Sequence, residues 1–175
     1  MATSSAVYKV EGGTVKITVY GSEAEIKETI RRIKQILEEY KTTEKGRSRI
    51  YTWRRIYRDA GGAIPLDALA QVLHLQGHQA KVTGEGLETT ATYEHVTAAA
   101  QAVWEALTAL AGAGASRSVK KAIAAAHAAG AGDPQELLEE ALATGLAREE
   151  GGRIIPAMDW RRLSETLLSR RRQGG

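Results

Sequence analysis

With 175 residues, 43% of them hydrophobic and 26% charged, the chain can bury a sizeable core as one domain or as one domain with a small appendage. It has no cysteine, which excludes disulfides, thiolate metal sites and cysteine nucleophiles. A net charge of +3 is too small for the whole-protein field to argue for nucleic acid. The apolar stretches are Ala-rich and broken by Gly or charge, so none is long enough for a bilayer. Residues Met1–Ser5 lack the basic-then-apolar shape of a secretion signal, which points to a soluble, cytoplasmic protein. Asparagine is missing as well as cysteine, and charge is heavy, a thermophile-like composition.

In chain order, Ala6–Glu11 and Thr14–Tyr20 alternate as half-buried strands do, and Gly12-Gly13 predicts a hairpin between them. Ser22 with Glu25 forms a capping box for a helix whose stripe is Ile26, Ile30, Ile33 and Leu37, ending near Tyr40. A polar turn over Lys41–Gly46 follows, then a predicted helix over Arg49–Ala60, stopped by Gly61-Gly62. Pro65–Gln76 is the next helix, with Gly77 behind it. Gln79–Gly84 and Gly86–Thr92 predict a second hairpin, and Thr92 caps a helix through Leu110.

The expected fold class is therefore α+β: a four-stranded antiparallel sheet of two hairpins with packed helices, spanning residues 5–112. The small residues Ala111–Ser116 mark a boundary before a C-terminal module at 117–172. Its order is helix, helix started by Asp133-Pro134, hairpin about Gly151-Gly152, and helix capped by Asp159, the outline of a winged helix. The second of those helices carries Asp133, Glu136, Glu139 and Glu140 without a cation, so it is a poor duplex reader. Oligomerisation or partner docking suits the module better. Arg161, Arg162 and Arg170–Arg172 could add phosphate contacts, although cations suit a helix C-terminus in any protein.

The functional signal is local. Between Lys41 and Arg58 stand seven cations (Lys41, Lys45, Arg47, Arg49, Arg54, Arg55, Arg58) against Glu44 alone. That is +6 in a chain of net +3, so the remainder sums to −3. Tyr40, Tyr51, Trp53 and Tyr57 put four of the nine aromatics in or beside the same stretch. Guanidinium forks match phosphate oxygens, and aromatic rings stack on unpaired bases with little sequence preference. Duplex hides its base faces, so the combination favours single strands. On a helical wheel Ile50, Trp53, Ile56, Tyr57 and Ala60 share one face, while Tyr51, Arg54, Arg55 and Arg58 share another. The second face would meet the strand, with Tyr51 stacking; Trp53 and Tyr57 either fill the core, as the wheel favours, or stack bases too. The expected nucleic-acid-binding set is Lys45, Arg47, Arg49, Tyr51, Trp53, Arg54, Arg55, Tyr57 and Arg58.

Catalysis has little to stand on. No phosphate-binding loop, nucleophile elbow or dinucleotide fingerprint occurs. His74 and His78 are four apart, but Gly77 lies between them and no Glu follows His74, so no metal site is expected. Asp59 and Asp67 flank the Gly61-Gly62 turn, as caps commonly do. No catalytic residue and no cofactor is expected. The competing reading is a protein–protein adaptor of replication or transcription machinery, working through the winged-helix-like module.

The stretch Tyr51-Thr-Trp-Arg-Arg-Ile-Tyr-Arg-Asp-Ala-Gly61, followed by Ile64, Leu69, Leu73, Gly77 and a hairpin ending Leu87-Glu-Thr-Thr90, resembles the N-terminal domain of the ThermoDBP-related proteins. These are archaeal single-stranded-DNA-binding proteins. The resemblance covers residues 5–112 and implies sequence-tolerant binding by basic and aromatic side chains, no catalysis, and assembly into homo-oligomers, dimers or tetramers. Founding members of that family follow this domain with a zipper-like helix. Ser116–Arg172 has no sustained heptad and departs from that pattern.

Overall fold

A computed structural model describes residues 5–11, 14–40, 43–45 and 48–173 and divides into two compact units, Met1–Lys41 and Thr42–Gly175. The boundary expected at 112–117 falls inside the second unit.

In the first unit β1 (Ser5–Glu11) pairs antiparallel with β2 (Thr14–Tyr20), Tyr8 opposite Ile17 and Lys9 opposite Lys16. Period-two alternation puts Ala6, Tyr8, Val10, Val15, Ile17 and Val19 on one face and Val7, Lys9, Lys16 and Thr18 on the other. The helix α1 (Glu23–Tyr40) packs on β2. Its start carries the expected capping pair: the Ser22 N–H and hydroxyl both donate to the Glu25 carboxylate, at 2.8 and 2.7 Å. The Ser22 hydroxyl first, and its backbone N–H second, hold the Glu25 carboxyl below its ordinary value.

The expected sheet of two hairpins does not form. The strands divide among three separate sheets, and β1–β2 pairs only with itself among the described residues. In the second unit the order is β3 (Thr43–Lys45), β4 (Ser48–Thr52), β6 (Gly86–Thr89), β5 (Ala80–Val82), all neighbours antiparallel. The hairpin of β5 and β6 lies where the sequence places it, but its partner is β4, drawn from residues expected to begin a helix. Ile50, Tyr51 and Thr52 are β-branched or aromatic and pair with Glu88, Leu87 and Gly86, and that pairing overrides the helical pattern. The helix α2 starts only at Trp53 and runs to Ala60, where Gly61 caps it in the left-handed region at φ 93°.

The strand-to-helix junction depends on Gly86. The Trp53 N–H donates to the Glu85 carbonyl at 3.2 Å, drawing the β5–β6 turn against the junction. A Cβ on Gly86 would fall well inside 3.0 Å of the Tyr51 carbonyl oxygen and 2.9 Å from Thr52 Cα.

The remaining helices are α3 (Leu66–Leu75), α4 (Tyr93–Ala109), α5 (Arg117–Ala128), α6 (Pro134–Ala143) and α7 (Trp160–Gln173). Thr92, Ser116 and Asp133 cap α4, α5 and α6 through their side-chain oxygens. The helix α5 is the centre of the unit and packs against α3, α4, α6 and α7. Its five successive residues Ile123–Ala126 and Ala122 are all buried, so it is covered on every side, and the alanines let its neighbours approach closely.

The segment expected as a flexible boundary is tied down: Ser116 N–H donates to Ile154 O and Ile154 N–H to Gly114 O, at 2.8 and 3.1 Å. This adds a short parallel bridge to the hairpin of β7 (Ala147–Glu150) and β8 (Arg153–Pro156). Buried Gln71 on α3 donates to Ser164 Oγ and Glu165 Oε1 on α7, each at 3.3 Å. Lys121 of α5 pairs with Asp67 of α3 while its ammonium sits 4.4 Å from the Trp160 ring of α7. The helices read as a C-terminal module therefore share one core with α3 and α4. No described helix is long and apolar enough to cross a membrane.

Candidate nucleic-acid interface

Because α2 begins at Trp53, its wheel begins there too. Trp53, Tyr57, Arg54 and Arg58 then occupy an arc of about 140°, while Ile56 and Ala60 turn into the core and Arg55 and Asp59 face α4. Tyr51, expected to stack on bases, is 2% exposed, and its hydroxyl donates to the Ala91 carbonyl at 3.3 Å. Strand alternation explains the correction: with Tyr51 on β4 opposite Leu87, its side chain belongs to the inner face of the sheet. Trp53, which the wheel favoured for the core, is 40% exposed. It stands at the first turn of α2, and its ring meets Tyr57 one turn on, with centroids 5.7 Å apart and planes tilted by 53°. The Arg54 guanidinium lies 5.1 Å from the Trp53 centroid, on the exposed side of the helix.

The three arginines of α2 are not equivalent. Arg55 lies half-buried with its guanidinium 3.5 Å from the Tyr93 ring centroid, in a cluster where Tyr51 and Tyr93 are 5.0 Å apart. Arg58 donates through Nε to Asp59 Oδ1 at 3.0 Å, and the Tyr93 hydroxyl donates to Asp59 Oδ2 at 2.5 Å. Gln101 donates to the Asp59 carbonyl at 3.0 Å, so α2 is clamped to α4 along this side. Arg55 thus fixes the helix, Arg58 shares its charge with Asp59, and Arg54 is the guanidinium best placed for a ligand. Arg49 is exposed on β4. Lys45 is in β3, where side chains are outside the described residues, and Arg47 is itself outside them.

Beyond Tyr57 the surface opens into a hollow of about 480 Å³ walled by Tyr57, Ile64, Pro65, Leu66 and Val82, with Asp67 and Arg117 at its polar end. Trp53, Tyr57 and this hollow make a continuous aromatic-to-apolar track with Arg54 at one end and Arg117 at the other. Sequence reasoning missed Arg117 and Val82. The readable signal for Arg117 is a cation directly after the cap of α5, in a first turn with no acid, against the helix macrodipole.

Burial alone would raise the Asp59 carboxyl, but bonds from Tyr93 and Arg58 and the charges of Arg58 and Arg55 outweigh it and hold it below its ordinary value. Burial first, and the bond to Asp59 second, push Tyr93 up to about 12. A lowered carboxylate contributes stability above its unfolded value of 3.8 that is lost as pH falls through the folded one. A raised phenol contributes stability below its unfolded value of 10.0 that is lost as pH rises towards about 12. Stability to urea is therefore expected to fall below about pH 4 and again above about pH 10. Tyr93→Phe should flatten the alkaline arm; an unchanged alkaline arm would remove Tyr93 as its cause.

Elsewhere the candidate groups are engaged locally. His74 Nε2 accepts from the Ala80 N–H at 3.2 Å, His127 Nδ1 donates to the Gly132 carbonyl at 2.7 Å, and the rings of His78 and His95 stand 5.5 Å apart. Among the described residues no three His, Cys, Asp or Glu side chains are grouped to hold a metal ion. Arg170 and Arg171 pair with Glu140 of α6, and Arg171 also with Glu136, which draws them away from a phosphate role.

No curated protein and no solved structure matches the chain. A family model matches residues 1–164, nearly the whole length: the chain belongs to the family described as "uncharacterized protein conserved in archaea (DUF2067)".

Proposed function

We propose that the chain binds single-stranded nucleic acid without catalysing a reaction, through Trp53, Arg54 and Tyr57 of α2 and the hollow that leads from Tyr57 to Arg117. The observation that carries this reading is the exposed Trp53 ring against half-buried Tyr57, with the Arg54 guanidinium beside it. An exposed tryptophan on a fixed helix offers a stacking surface that costs little ordering entropy, and the adjacent guanidinium suits the phosphate next to a stacked base. Duplex cannot use it, because its bases are already stacked on each other. The resemblance of Tyr51–Gly61 to the ThermoDBP-related proteins supports the same reading, and an archaeal family agrees with the origin of those proteins. DNA is the first ligand to test and RNA the second, since stacking and phosphate contacts do not read the 2′-hydroxyl. The cytoplasm is the compartment this reading implies.

Fluorescence anisotropy of a labelled single-stranded oligonucleotide across a salt series tests the electrostatic half. Each phosphate contact contributes a slope of about −0.7 in log affinity against log salt. Arg54→Ala and Arg117→Ala should each reduce the wild-type slope by about that amount. A flat wild-type response, or slopes unchanged in both variants, contradicts the assignment.

A further inference from the structure

We infer that the Met1–Lys41 unit is completed by a second copy of this chain, paired through β1. Nine of the thirteen large apolar side chains exposed among the described residues lie in this unit, although it is the smaller of the two. They are ordered rather than scattered. Tyr8, Val10, Val15 and Ile17 share the face of the hairpin that turns toward α1, where Tyr8, Val15 and Ile17 with Ala6, Val7 and Ile33 line a hollow of about 280 Å³. The opposite face carries Lys9, Lys16 and Thr18 with Val7 as its one large apolar side chain, and is the more polar of the two. Cover by α1 is greatest at the middle of β2: Ile17 is 40% exposed against 75% for Tyr8 opposite it, while Val15 and Val10 near the turn are 57% and 61% exposed.

The uncovered part is thus the β1 side, and β1 is also an edge without a further strand among the described residues. A two-stranded sheet is marginal alone, and a free edge normally carries a proline, a bulge or an inward-pointing charge. The described positions of β1 have none of these on the apolar face.

The strand is complementary to itself. In an antiparallel pairing with Tyr8 at the twofold axis, Ala6 meets Val10 of the second copy and Val7 meets Lys9. The apolar face becomes continuous across four strands, β2–β1–β1–β2, under two α1 helices, and the lysines of the two β1 strands are not opposed. Tyr8, Val10, Val15, Ile17, Ile30, Ile36 and Leu37 together expose roughly 750 Å² per copy, the ceiling on what the pairing can cover, against the ~800 Å² per partner of a standard stable interface. An isologous interface of this kind takes one copy only, so the assembly closes as a dimer.

The test uses the full chain, free of nucleic acid, so that its failure is separate from failure of the binding reading. Light scattering coupled to size exclusion should give twice the 18.8 kDa chain mass for wild type. Tyr8→Lys places two ammonium groups on the twofold and should raise the dimer dissociation constant more than about tenfold. Tyr8→Glu should do the same, and mixing the two variants should restore the dimer, which guards against simple misfolding. A monomeric wild type, a dimer indifferent to both substitutions, or a mixture that stays monomeric overturns the proposal.

Discussion

Gly86→Ala is expected to destabilise the Thr42–Gly175 unit by about 3 kcal/mol or more, read as a fall in the urea midpoint at unchanged slope. The new methyl group would overlap the Tyr51 carbonyl and crowd Thr52 Cα, both backbone atoms that no rotamer change can move. Relief would require β6 to part from β4, and with it the Trp53–Glu85 hydrogen bond that sets where α2 begins. The substitution should therefore cost binding as well as stability. Gly84→Ala, in the same turn but with open space around it, is the control and should stay within about 0.5 kcal/mol of wild type. Equal behaviour of the two would mean that the junction relaxes easily and that Gly86 does not fix the helix start.

Trp53→Ala should leave the fold intact and lower affinity for single strands about five- to 150-fold, the equivalent of losing about 1–3 kcal/mol of base stacking. The side chain stands on the exposed side of α2, so its removal opens no cavity in the core. Tyr51→Phe sets the contrast. It removes only the bond to the Ala91 carbonyl, at a cost of about 1 kcal/mol in stability, and should leave affinity unchanged. Anisotropy titrations at one salt concentration, with circular dichroism to confirm folding, separate the two. Loss of binding with Tyr51→Phe and none with Trp53→Ala would reverse the face assigned to the ligand.

What was legible in the sequence follows from how local its cause is. Caps and tight turns are set within four residues, so Ser22–Glu25, Asp133-Pro134 and the Gly151-Gly152 hairpin lie where expected, with both of those glycines in the left-handed region at φ 59° and 74°. The stretch from Arg49 to Thr52 reads as helix because its cations and apolar residues fit a wheel. Its actual state is decided by a partner strand beginning at Gly86, which no local pattern displays. The shift of the helix start turns Tyr51 from the expected ligand face into the core and puts Trp53, for which the sequence leaves core and stacking both open, at the surface. Arg55 shows the same limit in another form. Counting charge treats it like Arg54, but its stacking on Tyr93 is a contact between residues far apart in the chain. The basic character of the segment was legible; the division of labour among its arginines was not.

The boundary at 112–116 looked flexible because small residues give no periodic signal. Those residues are held instead by backbone bonds to Ile154, a long-range pairing in which side chains take no part. The all-round burial of α5 likewise hides in composition, since a run of alanines reads as neutral until its neighbours are known.

Whether Trp53 and its neighbours on α2 select unpaired bases is decided by the affinity of the full chain for one sequence presented as single strand and as duplex, at one fixed salt concentration, by fluorescence anisotropy. The single strand should bind at least about tenfold more tightly, because stacking on Trp53 and Tyr57 is open to unpaired bases alone. Equal affinity for the two forms, or tighter binding to duplex, would contradict it.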